Sequence, residues 1–285
     1  MGIAYGLAAA LCWGLADYCA TVASRAIGSS RVVLGFHLIA TAMLAVAVLA
    51  TGALDDLSAG DVLKLVWIGA LGALSYLTFY KALEIGPISI VSPIVSAYAA
   101  VSVVLAVIVL GESLGPAQIA AVVVVMLGVM LASADLRQIH AIERRQALGL
   151  VLALVTVVAI GGLVFGNAYY AIELGWLVPI FLTRAYTTLF LLGLSLRNRS
   201  WRLPARSPKV VALLTIIAVV DTGGYVAFNI GAERADTSIV SAASAPYALI
   251  PILGGVLFLR ERPAPVQWLG VAAVIGGVVL LGIFS

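Results

Sequence analysis

Between its scattered charges and prolines the chain runs apolar for about twenty residues at a time, and it does so ten times. The runs fall near 2–24, 30–51, 62–83, 88–110 and 116–134, then near 147–170, 176–196, 209–230, 237–259 and 265–284. A bilayer core is crossed by a helix of about 20 such residues, so each run predicts one membrane span. Of the 285 residues, 63% are hydrophobic and only 10% are charged, too few to cover a soluble domain of this size. That balance excludes a water-soluble enzyme, a nucleic-acid binder and a disordered chain. The expected fold is an all-α integral membrane protein of ten helices with short connections. Only 135–146 and 197–208 are charged enough to be real loops.

The chain also repeats itself. Sliding it by 149 residues gives 19 identities in the 56 positions from 76 to 131. Tyr76 falls on Tyr225, Phe79 on Phe228, Glu84 on Glu233, Tyr98 on Tyr247, and Ser89–Ser92 on Ser238–Ser241. Glu112, Pro116, Gln118 and Gly128 fall on Glu261, Pro265, Gln267 and Gly277. Apolar composition alone would match Val, Leu and Ala, not Glu, Gln, Pro and Tyr at one offset. Five spans is an odd number, so the second copy must enter the membrane from the opposite side. Two inverted five-helix repeats are therefore predicted, 1–134 and 147–285, joined by 135–146. Lys and Arg set the orientation. Arg25, Arg31, Lys81, Arg137, Arg144, Arg145, Arg197, Arg199, Arg202, Arg206, Lys209, Arg260 and Arg262 all belong to one side. The other side has only Lys64 and Arg234, and Arg184 lies inside span 7. The bias predicts both termini outside the cytoplasm. No basic residue precedes Arg25, so span 1 reads as retained rather than as a cleaved signal.

Trp13-Gly14 in span 1 and Gly111-Glu112 closing span 4, within ten duplicated spans, resemble the EamA-type transporters of the drug/metabolite transporter superfamily. The resemblance implies a secondary transporter of the cell inner membrane that exports amino acids or other small metabolites. It also implies a central cavity lined by spans 1, 3, 4, 6, 8 and 9. The second copy departs from the family pattern, with Arg260-Glu261 in place of Gly-Glu. Many members are also read with both termini inside, opposite to the charge bias here.

An ionisable group at the centre of a span costs about 2.5–3.5 kcal/mol on insertion scales, so it is expected to face a cavity or a partner. Asp17, His37, Arg184 and Asp221 qualify as an intramembrane charge or coupling set. Arg184 and Asp221, at similar depth on neighbouring antiparallel spans, are expected to pair. Residues at i, i+4 and i+7 share a helix face. Trp13, Asp17, Thr21 and Ser24 form such a stripe, as do Asp221, Tyr225 and Asn229. With Tyr76, Tyr80, Ser92, Ser96, Asn167, Tyr170 and Ser241, the residues Trp13, Asp17, Asp221, Tyr225 and Asn229 make up the candidate substrate-binding set. The bland alternatives are helix back-bonding for Ser, interface anchoring for Trp and Tyr, and a neutral packed ring for His37. Glu84, Glu233, Glu112 and Glu261 sit at span ends and read as solvated or structural. Pro93, Pro179, Pro246 and Pro251 are expected to interrupt spans 4, 7 and 9, as a kink or a hinge.

No phosphate loop, nucleophile elbow or metal-ligand cluster is present in the sequence. No catalytic residue, metal or cofactor is therefore expected. The expected partners are a small-molecule substrate, the lipid bilayer and protons, with no nucleic acid, and the chain is expected to act as a monomer. A multidrug or organic-solute exchanger is the alternative, and an intramembrane lipid-processing enzyme the remote one.

Overall fold

The computed structural model describes residues 1–55, 57–86, 88–132, 144–197, 207–250 and 264–284, without the side chains of 88–90, 93 and 144–147. The helices are α1 (Gly2–Ile27), α2 (Ser29–Thr51), α3 (Ala59–Leu63), α4 (Val66–Ile85), α5 (Ile88–Ser96) and α6 (Tyr98–Leu105). A π-helical turn, Ala106–Leu110, continues α6, and α7 (Pro116–Ala132) follows. The second half has α8 (Arg144–Leu174), α9 (Leu177–Arg197), α10 (Pro208–Arg234), α11 (Thr237–Ser244) with a 3-10 turn at Ala245–Ala248, and α12 (Pro265–Phe284). Among the described residues, seven helices are long and apolar enough to cross a membrane, and two shorter apolar helices accompany them, Ile94–Leu110 and Pro116–Ala132. The protein is an all-α integral membrane protein of ten spans in two inverted sets of five. Spans 3 and 4 are composite, and of span 9 the described part begins with α11 and its 3-10 turn.

The outer surface is the inverse of a soluble protein's. Leu11, Val46, Leu49, Ile108, Val158 and Ile283 are all well exposed on helix flanks, where lipid rather than water meets them. The polar stripe of α1 turns inward instead, with Trp13, Asp17, Thr21 and Ser24 buried.

The halves pack about a pseudo-twofold axis. Helix α1 lies on α10 as α8 lies on α4, and α1 meets α11 as α8 meets α5 and α6. Three couples, α2 with α9, α6 with α11 and α7 with α12, cross the axis. The hydroxyls of Thr41 and Thr188 lie 2.8 Å apart across it. Their separation is 147 residues rather than 149. The same 147 superposes Gly28 on Gly175, which end α1 and α8 at φ 88° and 79°. A positive φ strains a residue with a side chain. The second copy is thus two residues longer between its second and third spans.

Connections sort into two faces. On one, the Ser29 amide at the start of α2 donates to Glu84 at the end of α4 (2.9 Å), and Arg25 donates to the Gly86 carbonyl (3.1 Å). On the other, Lys64 pairs with Glu173 (2.6 Å), and the amides of Thr237 and Ser238 donate to Glu112 (2.8 and 2.9 Å). Connections 1–2 and 3–4 therefore share one side, and connections 2–3, 4–5, 6–7 and 8–9 share the other, as alternating crossings require.

The repeated polar residues prove to be helix-end devices. Glu84 takes the first amide of α2, and Glu233 takes the amide of Trp176 just before α9, the twofold equivalent. Gln118 accepts from the Gly115 amide (2.7 Å) and Gln267 from the Ala264 amide (2.8 Å). Pro116 and Pro265 begin the helices they cap, where the missing N–H leaves nothing unpaired. Gly128 and Gly277 let α7 and α12 touch: a methyl on Gly128 would lie 2.7 Å from the Val274 amide nitrogen, and one on Gly277 3.0 Å from that of Val125. Gly111, at φ 70°, ends the π turn and directs Glu112 across to α11. Glu261 lies outside the described residues.

Of the four prolines expected to interrupt spans, Pro179 does not. It is the third residue of α9, inside the first turn, whose amides have no intrahelical acceptor in any case. Pro246 does sit at a break, where α11 gives way to the 3-10 turn. Helix α5 runs through Pro93 and stops at Ala97, the repeat equivalent of Pro246. Spans 4 and 9 therefore break at the same repeat position. Pro251 lies outside the described residues.

Candidate functional site

A small cavity lies between the halves. Its walls are four twofold-related couples: Trp13 with Ile160, Asp17 with Val164, Tyr76 with Tyr225, and Tyr98 with Tyr247. Phe79 and Asp221 complete it. The breaks in spans 4 and 9 put Tyr98 at the start of α6 and Tyr247 within the 3-10 turn, and their rings meet at 6.0 Å across the axis. Trp13 packs edge-on to Tyr98 (6.1 Å) and Tyr225 (5.1 Å) and tilts over Phe228 (5.6 Å). Gly224 gives it room, since a methyl there would lie 2.5 Å from the indole nitrogen.

Beside the cavity is a buried charge cluster. Arg184 donates to Asp221 in a salt bridge, and the Tyr76 hydroxyl donates to the same carboxylate at 3.1 Å. The other guanidinium arm lies 3.1 Å from His37 Nε2. His37 Nδ1 is 2.9 Å from the Val33 carbonyl, which can only accept. Nδ1 therefore carries the ring proton and Nε2 accepts from Arg184, so the geometry fits a neutral imidazole. Rings of Phe36, Tyr76 and Tyr225 surround the guanidinium at 5.6, 5.1 and 5.0 Å, a cation–π enclosure. Tyr76 and Tyr225 also wall the cavity, and Arg184 is not among its lining residues.

The twofold relation holds for the tyrosine walls and fails for Trp13, which meets Ile160, and for the charges. His37 and Arg184 are equivalents at the 147 offset, Asp221 is matched by Gly72, and Asp17 by Val164. The space a side chain at Gly72 would fill is taken by Thr187.

Comparison of the sequence with known families decides the family. The EamA-like transporter family profile matches residues 1–134 and 146–283. The chain belongs to the EamA-like transporter family. A solved structure described as "Crystal structure of protein" shares the fold, at a TM-score of 0.76 and 16% identity over 99% of this chain and 96% of that one. No curated protein matches. As an EamA-like member the chain is a multi-pass membrane transporter and not an enzyme.

Within this transporter, Trp13, Asp17, Tyr76, Asp221 and Tyr225 of the sequence-derived binding set reach the cavity. Tyr80 is buried behind them against Phe36, Tyr76 and Phe79. Ser92 offers its carbonyl to the Tyr247 hydroxyl (3.1 Å), and Ser241 bonds Ser102 (2.8 Å), joining α11 to α6. Ser96 is buried nearby on α5. Asn167 back-bonds to Leu163 and lies beside Arg184 and Tyr225 in a smaller crevice. Tyr170 and Asn229 do not reach the cavity: their side chains contact the carbonyls of Lys64 (3.5 Å) and Trp176 (3.3 Å) at the membrane-end connections. The remaining wall residues, Phe79, Tyr98, Ile160, Val164 and Tyr247, were absent from that set. Tyr98 and Tyr247 carried a signal, as matched aromatics of the repeat. Ile160 and Val164 carried none, since apolar side chains in an apolar span look alike.

Proposed function

We propose that this chain is a secondary transporter that carries a small organic metabolite outward across the cell inner membrane, by alternating access through the cavity between its halves. The carrying observation is the cavity itself: polar groups otherwise too costly for lipid converge between two inverted halves, where a rocking motion can expose them to each side in turn. The working halves are 1–134 and 147–285, with 135–146 as their link. Breaks at Ala97 and Pro246 give spans 4 and 9 a place to bend. The Glu112 bonds to the start of α11 tie two connections together on one face and must open if that face is to open. One chain holds the whole cavity, which supports a monomer. The charge bias supports both termini outside the cytoplasm.

Purified protein in proteoliposomes, loaded with a panel of labelled small metabolites and subjected to a pH gradient, tests the reading. Counterflow or gradient-driven efflux of at least one solute, reduced by Tyr225→Ala, is expected. Empty-liposome rates for every solute would refute it.

A further inference from the structure

We propose that the cavity selects an organic amine cation that lacks a carboxylate, held by Asp17 within an aromatic cage. This rests on the transporter reading and narrows its substrate class. Asp17 is 6% exposed and lines the cavity, and its Oδ2 has no hydrogen-bond partner. A buried carboxylate oxygen left unpaired is costly, so Asp17 calls for a donor, and the unpaired indole N–H of Trp13 in the same wall does not bond to it. The other charges nearby cancel. Asp221 is matched by Arg184, and His37 accepts from the same guanidinium as a neutral ring. Among the described residues no Lys or Arg lines the cavity. An ionised Asp17 therefore gives the site one uncompensated negative charge.

The walls suit the same ligand. Trp13, Tyr98, Tyr225 and Tyr247 present rings around the space beside Asp17, and aromatic faces attract ammonium groups. A zwitterionic amino acid would satisfy Asp17 with its ammonium, but its carboxylate would face Asp221 and phenolic rings with no cation free to receive it. The space is narrow, about 40 Å³ open to the centre of a water-sized sphere, so a compact amine, single-ring or branched aliphatic, is favoured and the walls must part to admit it. With no amine present, a proton is the remaining way to neutralise Asp17. The titratable groups around it are Asp221 and Tyr225 from α10, Tyr76 and Tyr80 from α4, Tyr98 from α6 and Tyr247 from the 3-10 turn. The tyrosines keep their protons through the neutral range, and Asp221 stays engaged with Arg184, so Asp17 is the group that exchanges.

The test uses the purified full-length protein in nanodiscs and four probes of one shape: phenethylamine, 2-phenylethanol, phenylacetate and phenylalanine. Calorimetry should show the amine bound at least about tenfold more tightly than the alcohol or the zwitterion, and the anion not at all. Amine affinity should fall by up to about tenfold per pH unit on acidification, with proton release seen as a dependence of heat on buffer. In Asp17→Asn, checked for folding by size exclusion, the amine-to-alcohol affinity ratio should collapse to within about threefold. Should that variant misfold, the proton linkage of the wild-type protein still decides. Phenylalanine or phenylacetate binding as tightly as the amine, or amine binding without proton linkage, would overturn the proposal. Flux of phenylalanine without flux of the amine in proteoliposomes would refute the class and leave the transporter reading intact. Amine binding with no flux of any probe would keep the class and refute transport.

Discussion

Removing Arg184 should damage the protein more than removing Arg184 together with Asp221. In Arg184→Leu the carboxylate of Asp221 keeps only the Tyr76 hydroxyl as donor. Breaking a buried pair on one side costs about 3–5 kcal/mol. Proton uptake sets a second bound, because an ordinary aspartate titrates near 3.9 and each unit is worth about 1.4 kcal/mol. Holding Asp221 protonated then costs about 4 kcal/mol at pH 7 and about 1.5 kcal/mol at pH 5. The two routes agree at neutral pH. The double variant Arg184→Leu/Asp221→Leu should be more stable than Arg184→Leu by up to that amount, with the gap narrowing as pH falls. Unfolding by SDS titration in mixed micelles, followed by circular dichroism at both pH values, measures it. A double variant as unstable as the sum of the singles, or a gap independent of pH, would show that Asp221 is not held by Arg184 and that the cluster is differently solvated.

Close approach of α7 and α12 should make Gly277→Leu destabilising by about 1–3 kcal/mol or more, read as a lower unfolding midpoint, while Gly276→Leu, with open space beside its α-carbon, should be tolerated. Glu84→Ala should weaken the start of α2 by about 0.5–2 kcal/mol, and hydrogen exchange should show the loss at Ser29 rather than across the helix. The charge bias predicts that cysteine at Ser58 reacts with an impermeant reagent in intact cells while cysteine at Ser200 is protected. The reverse pattern would turn the protein over.

Much of the architecture was written in plain view. Ten apolar runs gave the spans, and matched Glu, Gln, Pro and Tyr gave the duplication. Depth alone put Arg184 opposite Asp221, because both could be counted from one connection. The repeat in spans 1 and 2 stayed hidden because it runs at 147 residues, and its alignable residues are Gly, Thr and apolar side chains. The jobs of Glu84 and Glu112 were also out of reach. Glu84 and Glu112 cap helices other than their own, which spacing along one helix cannot reveal. Contact between His37 and Arg184 depends on α2 meeting α9 across the axis, a fact of packing rather than of either helix. Tyr98 and Tyr247 enter the cavity because their spans break, and only Pro246 announced that break.

The mismatched charges bear on direction. Two identical inverted halves can trade conformations, and the result is the same molecule turned over, so its two open forms would be equal in energy. Every wall couple that matches, such as Tyr76 with Tyr225 or Tyr98 with Tyr247, leaves that degeneracy in place. Asp17 against Val164, Asp221 against Gly72 and His37 against Arg184 lift it. The side to which the empty protein prefers to open is then set by a few side chains near the midplane, and a scaffold with no preference of its own is biased by them.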